Sequence, residues 1–302
     1  MTKARVVRVR GYKAVDDIRA SVEKTVLYGP NGAGKTSFME AAAYVLLASN
    51  SLAGRTLVTF SGVREGFEIE VEGVLSLSRR GGAYELRTDE GVVRAPNHEH
   101  HVLLERLESA LRRAGIGPLR RAAWIDASTA YLATGAYHFH RPFGDLEPQL
   151  PLPKIEDAEL LEVLEAAEDA MYDVLDISRV YKDYDRVYVK ESGKWIPLSD
   201  LAYGKLRALA VIMAANFADA LFIEAFESGL HGDLALSLID YLSEFSGVAV
   251  VETHLGVIVA QAVASGWRAY YVDGGRVVRE LESVSDLKDV ELYRRELSAM
   301  GG

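Results

Sequence analysis

The chain has 302 residues, of which 49% are hydrophobic and 26% charged, as expected of a soluble globular protein with one large domain or two small ones. It has no cysteine, which excludes disulfides, thiolate metal sites and cysteine nucleophiles. The formal net charge of −10 argues against a surface that binds nucleic acid all over, although it is compatible with a local basic patch. No apolar run reaches membrane-spanning length and the start of the chain has no apolar core for a signal peptide, so we expect a cytoplasmic protein without a membrane partner.

The first informative segment is TVLYGPNGAGKTSFMEAAAYVLLA, residues 25–48. A short apolar strand precedes its glycine-rich turn and an apolar helix follows, which is the setting required for the phosphate-loop pattern G-x-x-x-x-G-K-[ST]. Backbone N–H groups of such a loop wrap phosphates, and the helix N-terminus adds its positive dipole end. Lys35 would reach the β- and γ-phosphates, and Thr36 would ligate Mg²⁺. We therefore predict a site for ATP and Mg²⁺ that comprises Gly29, Pro30, Asn31, Gly32, Ala33, Gly34, Lys35, Thr36 and Ser37.

The next two segments predict additions to a nucleotide-binding core. Residues 67–94 alternate apolar and polar side chains around Gly81-Gly82, which indicates an antiparallel β subdomain. Residues 102–114 predict a helix that ends in Arg112-Arg113, with Arg120-Arg121 close behind. These arginines are the best candidate for a basic patch, and a solvated helix end with favourable dipole contacts explains them equally well.

Residues 155–175 predict a helix with eight acidic residues and no basic one. Leu161, Leu164, Met171 and Val174 form an apolar stripe at helical spacing. We interpret the segment as a lid helix with one buried and one wet face, since charge runs are usually solvated. A docking surface for a basic partner protein is the alternative.

A second helix N-terminus and an acidic strand end follow. The turn from Ser199 to Lys205 enters a long apolar helix, and such an N-terminus can bind an anion. One chain cannot easily place two such ends on the same γ-phosphate, whereas a second copy can supply one. Ala220 to Ile223 then predict a buried strand, at whose end Glu224 would hold Mg²⁺.

The last informative segment, GVAVVETHLG, predicts a buried strand from Val248 to Val251 that ends near His254. A histidine at a strand end beside a phosphate site can contact the γ-phosphate or position the attacking water. A lone histidine is more often a satisfied structural residue. Because His254 lies 30 residues after Glu224, at the tip of a neighbouring predicted strand, we favour the functional role.

The chain resembles the ABC-type ATPases of the SMC, Rad50 and RecF branch in four motifs, which are, in order, GPNGAGKTS, LAYGK, LFIEAFESGLH and VVETH. Within that branch these motifs are most similar to those of the stand-alone OLD-type (AAA15/AAA21) ATPases. The resemblance spans residues 4–273 in four short blocks, and the opening VRVRGYK also fits that branch. It implies that Gly29 to Thr36 form the Walker A loop, Glu224 is the Walker B acid, Ser228 to His231 form the D-loop and His254 is the switch histidine.

The resemblance departs from the family pattern at two further motifs. Ala202, Tyr203, Gly204 and Lys205 occupy the signature, where Ser-x-Gly-[Gln/Glu] is usual. Ala202 therefore lacks the hydroxyl that meets the γ-phosphate bound by a partner subunit, whereas Gly204 keeps the close backbone approach. The glutamine of the Q-loop has no clear counterpart, and Asp126 is the only plausible substitute on the metal side.

Ala225 occupies the position of the family's catalytic glutamate, directly after the Walker B acid. A methyl group cannot orient water or accept a proton, and loss of a general base typically slows a reaction by about 10²–10⁴-fold. We therefore expect a protein that binds ATP well and cleaves it slowly. Three explanations of Ala225 are open. It is an introduced change that traps the ATP-bound state, a natural feature of a nucleotide-gated binding module, or the loss of a base for which Glu227 compensates.

The sequence thus predicts an α/β fold with a P-loop core, a mostly parallel sheet, an antiparallel β subdomain and a small helical lid. We expect one ABC-type domain, residues 1–302, with a core lobe at about 1–135 and 205–302 and a lid at about 136–204. The family resemblance implies a head-to-tail homodimer around two ATP–Mg²⁺, in which the Gly204 turn of one copy faces Walker A of the other. It also implies a role in DNA maintenance, in which the dimer clamps DNA or gates a nuclease partner. A pseudo-ATPase is the main alternative, and the degenerate signature disfavours a transporter subunit.

Overall fold

The computed structural model describes residues 5–46, 66–96, 101–116, 119, 122–126, 130–133, 139–140, 162–163, 165–183 and 186–300. Its strands are β1 (Val6–Arg10), β2 (Asp17–Ser21), β3 (Lys24–Tyr28), β4 (Glu68–Val71), β5 (Leu75–Arg80), β6 (Ala83–Thr88), β7 (Gly91–Pro96), β8 (Ala122–Ile125), β9 (Ala130–Ala133), β10 (Phe139–His140), β11 (Ile177–Asp183), β12 (Arg186–Glu191), β13 (Lys194–Pro197), β14 (Ala220–Ile223), β15 (Val248–Thr253), β16 (Arg268–Asp273) and β17 (Arg276–Leu281). Its α-helices are α1 (Lys35–Leu46), α2 (His101–Arg113), α3 (Glu168–Leu175), α4 (Tyr203–Phe217), α5 (Gly232–Ser243), α6 (Gly256–Ala264), α7 (Val284–Leu287) and α8 (Glu291–Met300).

Fourteen of the described strands form one mixed sheet in the order β10-β9-β8-β14-β15-β3-β16-β17-β2-β1-β4-β5-β6-β7. The central strands β8, β14, β15, β3 and β16 run parallel to one another. The outer strands pair mostly antiparallel, so the prediction of a mostly parallel sheet holds for the centre and is wrong for the sheet as a whole. Short hairpins impose this, since a two-residue turn such as Gly81-Gly82 between β5 and β6 can only join antiparallel strands.

The central strands are buried on both faces, which explains why they are continuous apolar runs rather than alternating ones. All residues of β14 and β15 are buried. Phe222 of β14 packs on the side that holds α1 and α2, whereas Leu221 and Ile223 pack on the side that holds α4, α5 and α6. Two hydrophobic cores therefore enclose the sheet and fix the ends of its parallel strands.

The β subdomain is an extension of the same sheet. Strands β4 to β7 form successive antiparallel pairs in the segment where alternation predicted strands, and β4 joins them to β1. This extension places the segment beside α1 and α2 rather than in a separate layer.

The predicted lid region contains a sheet as well as a helix. Strands β11, β12 and β13 form an antiparallel sheet that packs, together with α3, on the core under α4. The prediction of a small helical lid missed this sheet, whose first strand loses its regular alternation at a bulge between Ile177 and Arg179. Leu161 and Leu164 of the predicted apolar stripe lie outside the described residues, while Met171 is buried.

The arginines at the end of α2 face acidic partners. Arg113 lies 2.6 Å from both Asp89 and Glu90, and Arg112 forms an ion pair with Glu108 one turn earlier. Arg120 and Arg121 lie outside the described residues. The described part of this candidate basic patch is therefore charge-balanced. Within the described ranges, no helix combines the length and apolar character needed to cross a membrane.

Candidate nucleotide-binding site

The residues singled out in the sequence meet at one edge of the sheet, where the central parallel strands end. The P-loop follows β3, residues 252–254 end β15, Glu224 follows β14 and Asp126 follows β8. Because these strands are neighbours in the order β8-β14-β15-β3, their carboxyl ends form a continuous row. Open α/β sheets bind ligands at this edge.

The P-loop curls around the ammonium group of Lys35. This side chain is only 3% exposed, and Nζ donates hydrogen bonds of 2.8 Å to the carbonyl oxygens of Gly29 and Pro30. Burial lowers the pKa of Lys35, and the nearby carboxylates of Glu252 and Glu227 oppose this effect. Gly34 has a φ of +98°, and a Cβ there would lie 2.9 Å from the Ala14 carbonyl oxygen, so only glycine fits.

Glu252, which the sequence analysis did not assign, lies directly against the P-loop. Its Oε2 accepts a 2.6 Å hydrogen bond from Thr36 Oγ1, and its Oε1 lies 4.0 Å from Lys35 Nζ. The residue is 6% exposed. An acidic residue inside an otherwise apolar buried strand was the available signal, because carboxylates are almost never fully buried without a partner.

His254 also lies against the P-loop, while its contact with a γ-phosphate stays a prediction. Its Nδ1 lies 2.8 Å from the Gly29 carbonyl oxygen, and because a carbonyl only accepts, Nδ1 carries the proton in this contact. Its Nε2 lies 3.9 Å from Glu252 Oε1. The imidazole therefore lies between the start of the P-loop and the Glu252 carboxylate.

Glu227 anchors the end of β15. One of its carboxylate oxygens accepts a 2.8 Å hydrogen bond from Thr253 Oγ1, and the other accepts one of 3.0 Å from the His254 backbone N–H. These bonds hold the loop that presents His254. They also explain why a glutamate is present at this position beside an alanine at 225.

Glu224 lies in a different environment. Its Oε1 accepts a 2.6 Å hydrogen bond from the indole N–H of Trp124, whose ring stacks on Phe222. The pKa of Glu224 is raised to about 7, chiefly by burial, with smaller contributions from the carboxylates of Glu252 and Asp126, while the hydrogen bond from the indole opposes the rise. At neutral pH, in the absence of a cation, this carboxyl is about half protonated.

Ala225 presents only a methyl group and has a strained backbone, with φ of +41°. Arg207, which is 6% exposed, holds the surrounding carbonyl groups: its guanidinium donates to the backbone oxygens of Asp126, Glu224 and Ala225. Its Nε has no partner in the described structure. Arg207 was not predicted as a site residue, because a charged residue in the second position of an apolar run gives no indication of carbonyl partners.

The signature-like turn lies at the start of α4, with Ala202 directly before the helix. A Cβ on Gly204 would lie 2.6 Å from the carbonyl oxygen of Gly229, so this glycine is required by the predicted D-loop of its own chain. Lys205 forms an ion pair with Glu191 and donates a 2.9 Å hydrogen bond to the Leu175 carbonyl oxygen. Its ammonium is therefore bound to the lid, and contact of residues 202–205 with a nucleotide stays a prediction.

The residues present fit a magnesium ion delivered with a nucleotide. In the described ranges, no three or more histidine, aspartate or glutamate side chains converge as a metal cage. Mg²⁺ in nucleotide sites does not need one, because phosphates and waters supply most ligands and one or two carboxylates complete the set. The Thr36 hydroxyl with a carboxylate 2.6 Å away is such a donor pair.

The fold resembles that of a solved SMC head. The crystal structure of an SMC head bound to the C-winged helix domain of ScpA matches with a TM-score of 0.53 and 14% sequence identity, over 93% of this chain and 98% of that chain. A bacterial Atm1-family ABC exporter with ATP bound matches with a TM-score of 0.49 and 13% identity, over 100% of this chain and 43% of that chain.

No protein-family model matches the chain, and a search of curated protein sequences finds no match. The likeness to the SMC head confirms the predicted ABC-type ATPase fold. The resemblance to the OLD-type branch stays a prediction.

Proposed function

We propose that this protein binds ATP with Mg²⁺ as an ABC-type ATPase head and hydrolyses it slowly. The observation that supports this best is the convergence of Lys35 and Thr36 of the P-loop with Glu252 and His254 of the neighbouring strand. The loop and the helix N-terminus would hold the phosphates, Lys35 would neutralise their charge, and His254 would contact the γ-phosphate. Mg²⁺, when bound beside Thr36, would neutralise charge on the β- and γ-phosphates.

We further propose that the ATP-bound form is a head-to-tail homodimer. Each chain has two helix N-termini suited to phosphate, those of α1 and α4, and only the first carries a P-loop. The apolar side chains of Tyr203, Leu255 and Val257, near the α4 turn and the His254 loop, are exposed. A second copy placed over the site would cover them and bring its Gly204 turn to the nucleotide.

The site lacks a general base at residue 225, and this governs the predicted rate. Phosphate release from ATP–Mg²⁺ should therefore be compared between the chain and its Ala225→Glu variant, with nucleotide affinity measured by calorimetry in parallel. We expect equal affinity and a rate about 10²–10⁴-fold higher in the variant. Equal rates in both proteins would exclude residue 225 as the cause, and Glu227→Gln would then test the remaining candidate.

The same comparison separates the two main classes of function. ATP binding without turnover in either protein would support a nucleotide-gated binding module rather than an ATPase. Absence of ATP binding, with folded protein shown by a cooperative thermal transition, would overturn the proposed function itself. Co-purification with a membrane protein would favour a transporter subunit.

A nucleic-acid role has one structural observation in its favour. On one face of the β11-β12-β13 sheet, Arg179, Lys190 and Trp195 lie side by side on adjacent strands. The ring of Tyr181 contacts that of Trp195 edge-on, with 6.1 Å between the ring centroids. Tyr181 and Trp195 are exposed. Exposed aromatic rings between basic side chains suit single-stranded nucleic acid, which stacks its bases on such rings.

Binding of single-stranded DNA should therefore be measured with and without ATP at rising salt concentration. We expect affinity to fall steeply with salt and to weaken in a Tyr181→Ala, Trp195→Ala double variant. Negligible affinity at low salt in both nucleotide states would exclude DNA as a partner. A nuclease partner stays a prediction from the family resemblance.

A further inference from the structure

Two glutamates end neighbouring strands at the site, and only one of them contacts the P-loop. Glu252 accepts its 2.6 Å hydrogen bond from the Thr36 hydroxyl, the group expected to ligate the metal. Lys35 and His254 flank its other oxygen at 4.0 and 3.9 Å. The carboxylate therefore lies in the row of groups that would surround the metal and the terminal phosphates.

Glu224 is the acid to which the family resemblance assigns the metal, yet it is directed elsewhere. In the described part of the chain its side-chain hydrogen bond goes to the Trp124 indole, on the side of β14 away from β3. In the sheet, β15 lies between β14 and the P-loop strand. Glu252 on β15 is thus one strand closer to Thr36 than Glu224 is.

The Glu252 carboxylate is buried, and its one described cationic side-chain partner besides the histidine lies at the outer limit of an ion pair. It is 6% exposed, and its described partners are one neutral hydroxyl, an ammonium 4.0 Å away and a histidine. That ammonium is already bound by two carbonyl groups. Burying a carboxylate is costly unless it is paired or coordinates a metal, and a divalent cation beside Thr36 would add a second and stronger positive charge to this carboxylate.

We propose that Glu252, rather than Glu224, is the carboxylate that binds Mg²⁺, directly or through its water ligands, when the P-loop holds a nucleotide. This rests on the proposed function, since the metal arrives with ATP. The carboxylate that binds the metal thus lies at the end of β15 rather than at the end of β14. Glu224, held by Trp124, positions the β14 edge instead.

The test compares Glu252→Gln with the matched variant Glu224→Gln, each titrated with ATP in the presence of Mg²⁺ and in the presence of a chelator. In Glu252→Gln we expect the affinity for ATP–Mg²⁺ to fall by about 10–100-fold, the usual cost of removing such a metal partner. Metal-free ATP should bind this variant at least as tightly as it binds the unmodified chain, because a negative charge near the phosphates has been removed. Opposite effects in the two titrations cannot come from misfolding, which would weaken both.

A direct metal readout makes the assignment independent of hydrolysis. Mn²⁺ in place of Mg²⁺ reports its own binding to the ADP complex by electron paramagnetic resonance. We expect Glu252→Gln to lose Mn²⁺ affinity, Glu252→Asp to keep part of it, and Glu224→Gln to change it by less than about threefold.

The outcomes separate failure of the inference from failure of the proposed function. If Glu224→Gln abolishes the metal dependence and Glu252→Gln keeps it, Glu224 is the metal ligand and the proposal is overturned. If Glu252→Gln keeps metal affinity but stops phosphate release in an Ala225→Glu background, Glu252 acts on water rather than metal, which also overturns it. If the unmodified chain binds no nucleotide with or without metal, the proposed function is wrong.

Discussion

The ends of β14 and β15 carry the same chemical group in two contrasting environments. Glu224 follows β14 and is bound to an aromatic N–H, with a pKa raised to about 7 by burial. Glu252 ends β15 and is bound to a P-loop hydroxyl between a lysine and a histidine. The family resemblance assigns the metal to Glu224, whereas the contacts favour Glu252.

The difference shows that a carboxylate's role depends on its neighbours across the sheet more than on its place in a linear motif. β14 has β8 on its far side, so Trp124 can bind the carboxyl group at its end, and Arg207 of α4 binds the carbonyl groups there. β15 is paired with the P-loop strand, so its end faces Thr36. Strand order therefore decides which acid meets the phosphate-binding hydroxyl.

The largest expected effect concerns Arg207, which holds the β14 edge. Arg207→Met removes hydrogen bonds from a charged donor to three carbonyl oxygens and leaves those part-buried acceptors without that donor. We expect a loss of about 3 kcal/mol or more in the free energy of unfolding, because each bond to a charged group is worth about 1.5–3 kcal/mol. Urea unfolding measures it.

Arg207→Lys is the matched control, since it keeps the charge but reaches fewer carbonyl groups, and we expect an intermediate loss. Both variants should keep the Thr36–Glu252 contact, so the metal dependence of nucleotide binding should survive in the folded fraction. A Met variant as stable as the unmodified chain would show that the carbonyl groups find other partners, and the contrast between the two strand ends would lose its structural basis.

A smaller effect concerns Glu224 and pH. Its folded pKa of about 7 exceeds the ordinary value of 4.5, so the folded state binds the extra proton. Its stabilising contribution is fully present below pH 4.5 and is lost as the pH rises through 7. Relative to Glu224→Gln, we expect the unmodified chain to lose about 1–2 kcal/mol of stability between pH 5 and 8, a value reduced for solvent screening at a partly exposed group.

Trp124→Phe sharpens the same measurement. The indole N–H lowers the pKa of Glu224, so its removal should move the midpoint of the pH dependence upward. Thermal unfolding at a series of pH values would follow both variants. A pH dependence unchanged by Glu224→Gln would assign the titration to another group.

Much of the site could be predicted because its residues follow local rules. The P-loop combines a strand, glycines, a lysine and a hydroxyl in one short segment, and His254 ends a buried strand at a recognisable spacing. The contact of His254 with the Gly29 carbonyl was therefore within reach of the sequence. The α/β class followed from the same alternation of strands and helices.

The missed features depend on contacts between distant segments. Glu252 was recognisable as an acid inside an apolar strand, but its partner was not, because Thr36 is 216 residues away and meets it through the position of β15 between β14 and β3. Arg207 binds the carbonyl oxygen of Asp126, which is 81 residues away. The antiparallel pairing of β4 to β7 was predicted, but the continuity of this subdomain with the core sheet was not, because the motifs that indicated a parallel sheet all lie at its centre.

The smallest expected effect concerns the backbone of Ala225, the residue that follows Glu224 at the end of β14. Its φ of +41° is unfavourable for any side chain with a Cβ, while glycine adopts it freely. Ala225→Gly should therefore raise the free energy of unfolding by about 0.5 kcal/mol, since relief of strain of about 1 kcal/mol is partly offset by the greater freedom of glycine in the unfolded chain. Ala225→Val, whose branched Cβ aggravates the strain, should lower it, and chemical denaturation would measure both. Because neither side chain can accept a proton, we expect both variants to release phosphate as slowly as the unmodified chain, whereas Ala225→Glu accelerates hydrolysis. A glycine variant less stable than the unmodified chain would show that the methyl group of Ala225 contributes packing that outweighs the backbone strain.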